Sequence, residues 1–323
     1  MNETNTYNFS VYSAYDPTRT TSLRNQFVKD LRSRFVNLCH AIYQKVVTED
    51  CFGSEIKTFA SINTFASNTV SRAVFAFPRS AEKVDAFMQW LRTQVDEGIL
   101  TVKEYNQFGS AIESAWTNMY ITDSYKRGVI RARYELQKAG YNVPSIDATG
   151  GIGMSMFVPL HMDRVGLLYT RVYSDLKGIT TAMDAQISRI LAQGMADGDG
   201  PILLAKKMVS AINGTGLGDL GIKDTLGRFI PAMRRAEILA RTEIIRAHHQ
   251  GMIQEYRNWA LEGVVIQAEV VTAGDDRVCG VCDGIAGNSP YTLDEAENLI
   301  PVHPQCRCIA LPFEVGVDKL IKR

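Results

Sequence analysis

Long apolar runs are missing from this sequence. The longest, Ile152 to Leu160, is interrupted by glycine and serine and falls far short of the roughly 18 residues a membrane-crossing helix needs. No membrane segment is therefore expected. The start, MNETNTYNFSVYSAYDP, lacks a basic stretch followed by an apolar one and does not read as a secretory signal. Net charge is missing too: 35 lysines and arginines balance 35 aspartates and glutamates, so no overall field draws the chain onto nucleic acid or an anionic surface. Any such contact has to be local. There is no internal repeat, no low-complexity tract and no Walker-type phosphate loop, and the last of these argues against an ATPase. Cysteine is scarce, with six in 323 residues. Without export these thiols are expected to stay reduced, and clustered ones to bind metal rather than pair. Cys39 and Cys51 read as packing residues.

What is present suffices for a globular fold. At 46% hydrophobic and 22% charged residues, the chain can bury a full core as one large domain or two ordinary ones. Asp16-Pro17 is a helix start, and Leu23, Phe27, Leu31, Phe35, Leu38 and Ile42 then recur at helical spacing. The outer face of this helix carries Arg19, Arg24, Lys29, Arg32, Arg34 and Lys45 against Asp30. It reads either as a local contact surface for DNA or an acidic partner, or as a solvated face. Residues 52–79 alternate aromatics with Ser, Thr and Asn and suit extended structure. Ser80 opens a helix running to about Glu97, and the spacing of Thr101 and Glu104 predicts a capping box that starts another helical segment. A further helix ends at Gly140; its stretch YKRGVIRARYELQK places Lys126, Arg127, Arg131 and Arg133 on a second candidate contact surface.

These elements make 1–145 an N-terminal helical region with some extended structure. Residues 146–162, glycine- and methionine-containing and without a period, read as a linker or contact loop. Residues 163–323 form a second domain. In it, helices are expected over about Asp163–Leu176 and Thr181–Met195, then from Pro201. Pro231 opens one of about 30 residues, in which Ile238, Ile245, Met252 and Trp259 repeat every seven before Gly263. Val264–Val271 reads as a strand and IALPF, after Cys308, as its short companion. The fold class expected is α+β, mainly α-helical, with long helices and a small C-terminal β-hairpin carrying a zinc-clasp module at 277–313.

Chemistry concentrates in that module. Cys279 and Cys282 have the two-residue separation that turns both sulfurs toward one ion, and His303, Cys306 and Cys308 follow about 20 residues later. Thiolates with an imidazole suit a tetrahedral Zn²⁺, and a shell closed by protein ligands leaves no position for a substrate, so a structural zinc is expected. Four ligands are needed and five are offered. Cys279, Cys282 and His303 are the clearer three, while Cys306 and Cys308, two apart on one side of a strand, compete for the fourth place. A thioredoxin-like pair would sit at a helix start in a βαβ unit, and a cysteine protease would need a separate histidine and orienting group. Disulfides fit only outside a reducing compartment. TLDE at Thr292–Glu295 is a capping box for a short helix before Pro301.

On the long helix, ARTEIIRAHHQ gathers Arg241, Glu243, Arg246, His248 and His249. Adjacent histidines point about 100° apart on a helix, which does not make a metal pair. Arg241 and Glu243 read as structural anchors through charge-assisted hydrogen bonds, and Asp276 belongs with them.

The order ARTEI, then Asp276-Arg277-Val278-Cys279-Gly280-Val281-Cys282, then HPQCRC followed by a proline resembles the phage Mu F-like minor head proteins. The resemblance runs from about Asp163 to Phe313, and its specific part is the combination of CxxC with HPxCRC; the N-terminal half matches only in style. It implies a structural, non-enzymatic virion component of head morphogenesis, made in the host cytoplasm and placed in few copies inside the head near the portal vertex. Its implied partner is the portal protein, with major capsid or scaffolding protein and non-specific packaged double-stranded DNA as further candidates. The alternatives are an enzyme or toxin-like effector on the same scaffold, and a local DNA-binding internal virion protein.

Overall fold

The computed structural model describes residues 16–63, 69–105, 111–214 and 228–313. The fold is α+β and mainly helical. The chain divides into two compact units: unit one holds residues 1–28, 117–172 and 238–323, and unit two holds 29–116 and 173–237. Three of the four divisions fall within long helices, α1 (Thr21–Tyr43), α5 (Pro159–Ala196) and α7 (Ala232–Leu261), and the fourth just before Asn118, while residues 146–162 lie inside unit one.

In unit two, the second half of α1 ends in a π-helical turn, Gln44–Thr48, and leads to the antiparallel hairpin β1 (Glu55–Asn63) and β2 (Thr69–Ala76). Extended structure was the reading of this aromatic and β-branched segment. Helix α2 (Ser80–Val95) follows and closes in a second π-helical turn, Asp96–Leu100. The next residues depart from the capping-box reading. Thr101 is extended, its hydroxyl donates back to the Asp96 carbonyl at 2.8 Å, and β3 (Val102–Tyr105) pairs with β4 (Ala111–Ser114). A box needs Thr101 to accept from the N–H three residues on, and pairing with a partner strand takes that N–H away. Helix α6 (Pro201–Asn213) has its proline in the first turn and ends at Gly214, φ 81°, as the missing Cβ permits. Phe35, Ile42, Phe52, Phe87, Leu91, Leu204 and Met208 are buried in this unit, and each contributes roughly 1.5–3 kcal/mol by leaving water.

The two helices expected over 163–195 are one, α5, of 38 residues. Gly178, which lies between the two expected spans, keeps helical geometry, and a Cβ there would meet nothing within 4 Å. A helical glycine costs only about 1 kcal/mol, which the long flanking segments carry. The supposed loop before it contains a 3₁₀ turn, Asp147–Thr149, and α4 (Gly151–Met156). Met154 and Phe157 there are 60% and 69% exposed, so these side chains do not tuck over the protein's own core.

Unit one is organised around the crossing of α3 (Asn118–Lys138) and α7. A Cβ on Gly128 would fall inside 3.0 Å of the His248 carbonyl oxygen and 3.2 Å from Gly251 Cα, and one on Gly251 would meet the Tyr125 carbonyl. Only glycine at both positions lets the two backbones come this close. Ser124 Oγ donates to the Ile244 carbonyl at 2.7 Å across the same crossing. Beyond Gly263, φ 91°, β5 (Ala268–Val271) pairs antiparallel with β6 (Ile309–Pro312), in the register Ala268 with Pro312 and Val271 with Ile309. Of the longer strand expected at 264–271, only the last four residues join the ladder, because β6 is itself four residues long.

Candidate metal centre

Between β5 and β6 the chain makes α8 (Gly280–Gly287) and α9 (Leu293–Glu297), and polar bonds dock β6 and α9 onto α7. Tyr256 Oη donates to the Ala310 carbonyl of β6 at 3.3 Å. The carbonyls of Ala296 and Glu297 accept from His249 Nε2 at 2.9 Å and Gln250 Nε2 at 3.0 Å. Arg257 pairs with Asp294 at 2.6 Å and Glu297 at 2.9 Å. The capping box of Thr292 and Glu295 is complete in both directions. Apolar contact supplies the rest: Tyr256, Ile266, Val270, Cys282, Ala296, Ile300, Cys306, Cys308 and Ile309 belong to one buried cluster.

Cys279 is the N-cap of α8, in extended geometry, and its Sγ accepts the Cys282 N–H at 3.4 Å. The pair therefore opens a helix, contrary to the sequence reading, but the flanking strands are antiparallel and no βαβ unit contains it. Cys282 is buried, with its Sγ 3.3 Å from His303 Nε2. His303 Nδ1 lies 2.9 Å from the Pro304 carbonyl; donating its proton there leaves the Nε2 lone pair aimed at Cys282, the tautomer a metal ligand needs. Cys306 and Cys308 are not on a strand. They lie in the loop just before β6, and both are buried while Arg307 between them is half-buried. Gln305, φ 62°, turns this loop, and its N–H donates to Thr242 Oγ1 on α7 at 3.0 Å. Arg307 grips Asp275 with two bonds of 2.6 Å.

The donor atoms of Cys279, Cys282 and His303 lie within 4.8 Å of one another, as do those of Cys282, Cys306 and Cys308. Zinc–sulfur and zinc–nitrogen bonds of about 2.3 and 2.0 Å imply tetrahedral edges of roughly 3.5 Å, which the Cys282–His303 spacing of 3.3 Å fits. Soft thiolates with one imidazole form a donor set that can hold a metal ion. The electrostatics run the same way. The Cys308 thiol donates to Cys306, and backbone N–H groups add to this, bringing Cys306 down to about 5. Cys308, sharing that proton and buried, is raised. Cys279 is lowered first by the Cys282 N–H, whereas burial pushes Cys282 up to about 12.

The other candidate residues have other work. Arg24 is buried against Asp16; Arg133, 3% exposed, donates to Glu255 at 2.6 Å. Both are withdrawn from any contact surface. Arg131 pairs with Glu135 at 2.6 Å and Arg127 with Asp123 at 3.0 Å. Arg32 pairs with Glu237, and Arg34 donates to the Gly98 carbonyl while stacking on Trp116 at 4.1 Å. Arg19 and Lys29 are exposed and Lys126 is half-buried. Arg241 reaches Asn25 Oδ1 at 3.3 Å, and buried Glu243 lies between Arg246 and Arg171 at 3.1 and 3.4 Å, as anchors do. His248 and His249 are both buried, which holds them down at about 3 and about 4. The carboxylate gripped by the HPQCRC loop is Asp275, where the reading favoured its exposed neighbour Asp276.

One constellation escaped the sequence reading. Glu255, fully buried, also receives Trp259 Nε1 at 2.7 Å and lies 3.0 Å from His161 Nε2, whose Nδ1 is 2.9 Å from Tyr125 Oη. Its signal was there: the stripe through Met252 and Trp259 brackets position 255, and a carboxylate on a buried face demands a buried cation. No family model, curated protein or solved structure matches this chain.

Proposed function

We propose that the chain is a structural minor head protein of a tailed phage, of the Mu F-like kind, placed in few copies at the portal vertex inside the head. In this reading a zinc ion, held by four of Cys279, Cys282, His303, Cys306 and Cys308, fastens its C-terminal module. The observation that carries the reading is that the separate motifs of the resemblance form one physical unit. Thr242 of ARTEI accepts the N–H of Gln305 in HPQCRC, and that loop brings Cys306 and Cys308 to Cys282 of the CxxC pair. The buried polar residues of α7 support a scaffold role, because His249 and Gln250 are spent on holding α9 and Glu243 on two arginines. The portal protein is the proposed partner, with contact to capsid or scaffolding protein and to packaged DNA secondary. The exposed basic residues Arg19 and Lys29 are the ones left for phosphate contact.

The test is to purify particles assembled with a tagged chain and to measure copy number, cross-links and zinc. A few copies per particle, cross-linking to the portal and about one zinc per chain support the proposal. Absence from particles, or hundreds of copies spread over the shell, overturns it.

A further inference from the structure

From Ala148 to Met162 the sequence holds no Asp, Glu, Lys or Arg, and the structure turns much of its apolar content outward. Ile152 and Met156 pack against the cluster of Val129, Val165 and Leu168, whereas Met154, Phe157, Leu160 and Met162 are exposed. A short connection between long helices is ordinarily polar, so apolar side chains grouped on its outer side mark a contact surface. Nor is the segment left slack. Arg133, bound to Glu255 at 2.6 Å, donates to the Pro144 carbonyl at 2.9 Å and to Thr149 Oγ1 at 3.3 Å, and His161 Nε2 lies 3.0 Å from the same carboxylate. One buried group thus pins both ends of the stretch that displays Met154 and Phe157. The same arginine sets a second face beside it. Along α3, residues 123, 127, 130, 134 and 138 recur at helical spacing; Ile130 and Tyr134 there are exposed apolar side chains, and Arg127 and Lys138 exposed cations. With half-buried Lys126, three cations stand against one carboxylate, Asp123, which Arg127 holds at 3.0 Å. The Met154 and Phe157 face is edged instead by exposed Asp147 and Asp163, and Arg164 beside the latter is spent on Glu297 at 2.6 Å.

From this we infer that the surface joins two copies of the chain about a two-fold axis, the acidic apolar half of each seated on the basic apolar half of the other. A contact of this symmetry needs a self-complementary patch, and here two halves, both apolar and opposite in charge, lie side by side on one unit. Phe157 and Tyr134 are the anchors, aromatic side chains that lose their water contact at low cost in conformational entropy. Asp147 and Asp163, facing Arg127 and Lys138 of the other copy, fix the register and exclude the parallel arrangement, in which like charges would meet. The acidic edge also works against an anionic lipid surface as the occupant.

The test is sedimentation velocity of the full-length chain over a concentration series. A reversible dimer is expected in the wild type. Phe157→Ser is expected to weaken it at least about 30-fold, as loss of an anchor does, while Leu261→Ser, at an exposed apolar position on the end of α7, changes it by less than about 2-fold. Two charge-reversed chains test the pairing. Arg127→Glu with Lys138→Glu leaves both halves acidic, and Asp147→Lys with Asp163→Lys leaves both basic. Each alone is expected to dimerise at least about 10-fold more weakly, and their mixture to form a heterodimer within about 3-fold of the wild-type affinity. That recovery also shows that both variants fold. A wild-type chain that stays monomeric overturns the inference, as does a dimer insensitive to Phe157→Ser, or a pair of charge-reversed chains that fail to associate when mixed. Binding of a monomeric chain to phosphatidylcholine vesicles, lost in Phe157→Ser, assigns the face to lipid and overturns it as well.

Discussion

Replacing Gly128 by alanine tests the α3–α7 crossing directly. In a helix interior this change ordinarily stabilises by about 1 kcal/mol, because alanine loses less backbone entropy on folding. Here the new Cβ meets the His248 carbonyl oxygen inside 3.0 Å and Gly251 Cα at 3.2 Å. Both obstacles are backbone, so no side-chain rotation relieves them and the helices have to part. Overpacking of this kind costs roughly 1–3 kcal/mol, with the upper end appropriate where main chain must shift. The parting also strains the Ser124 to Ile244 bond and the Arg133–Glu255 contact across the same pair of helices. A net loss of about 2 kcal/mol is expected, from the overpacking cost less the propensity gain. Gly166→Ala in α5 is the control: nothing lies within 4 Å of its Cβ position, so it should gain up to about 1 kcal/mol. Urea unfolding followed by helical circular dichroism measures both. If Gly128→Ala is as stable as wild type, or if both variants shift the midpoint in the same direction, the close approach of the two backbones is wrong.

Glu255→Gln, or Arg133→Met alone, strands a buried charge and should cost about 3–5 kcal/mol, while the double variant should cost much less than the sum; additive losses in a double-mutant cycle would contradict the coupling. His248 and His249 are held neutral at about 3 and about 4, against an ordinary 6.5, chiefly by burial. Between pH 6.5 and 4 the unfolded chain binds protons the folded chain cannot, so stability falls as pH falls through that window, by a few kcal/mol in order of magnitude. A stability profile flat over that range, or one unchanged by His249→Gln, would contradict this. With the proposed ion in place, adding a chelator should make 277–313 a preferred site of proteolysis, since the binding energy of such an ion would be part of the module's folding energy; equal cleavage rates with and without chelator would remove the clasp.

Much of the fold was legible where local chemistry decides. The seven-residue apolar repeat of α7, the Thr292 capping box, the proline start of α6 and the β-branched run ending in β5 all act through neighbours in sequence. The misreadings have a common cause. Gly178 and Thr101 carry signals that are real but weak, about 1 kcal/mol each, and a continuous helix or a strand partner outweighs them. Arg133 looked like a surface residue because its partner carboxylate is far along the chain, Glu255 being 122 residues away; Arg24 is buried against Asp16, a near neighbour in sequence.

The cysteine cluster divides along the same line. The spacing of Cys279, Cys282, His303, Cys306 and Cys308 was enough to identify a metal-type donor set, because ligand type and short-range spacing are properties of the linear chain. How the five share the site was not, since that depends on which sulfurs are buried and which backbone N–H groups face them. Those are set by the pairing of β5 with β6 and by the docking of the HPQCRC loop on Thr242. The polar core of Glu255, Arg133, His161 and Tyr125 is the extreme case. Its members come from three helices, and only their packing supplies both the burial that makes an unpaired charge costly and the partners that remove that cost.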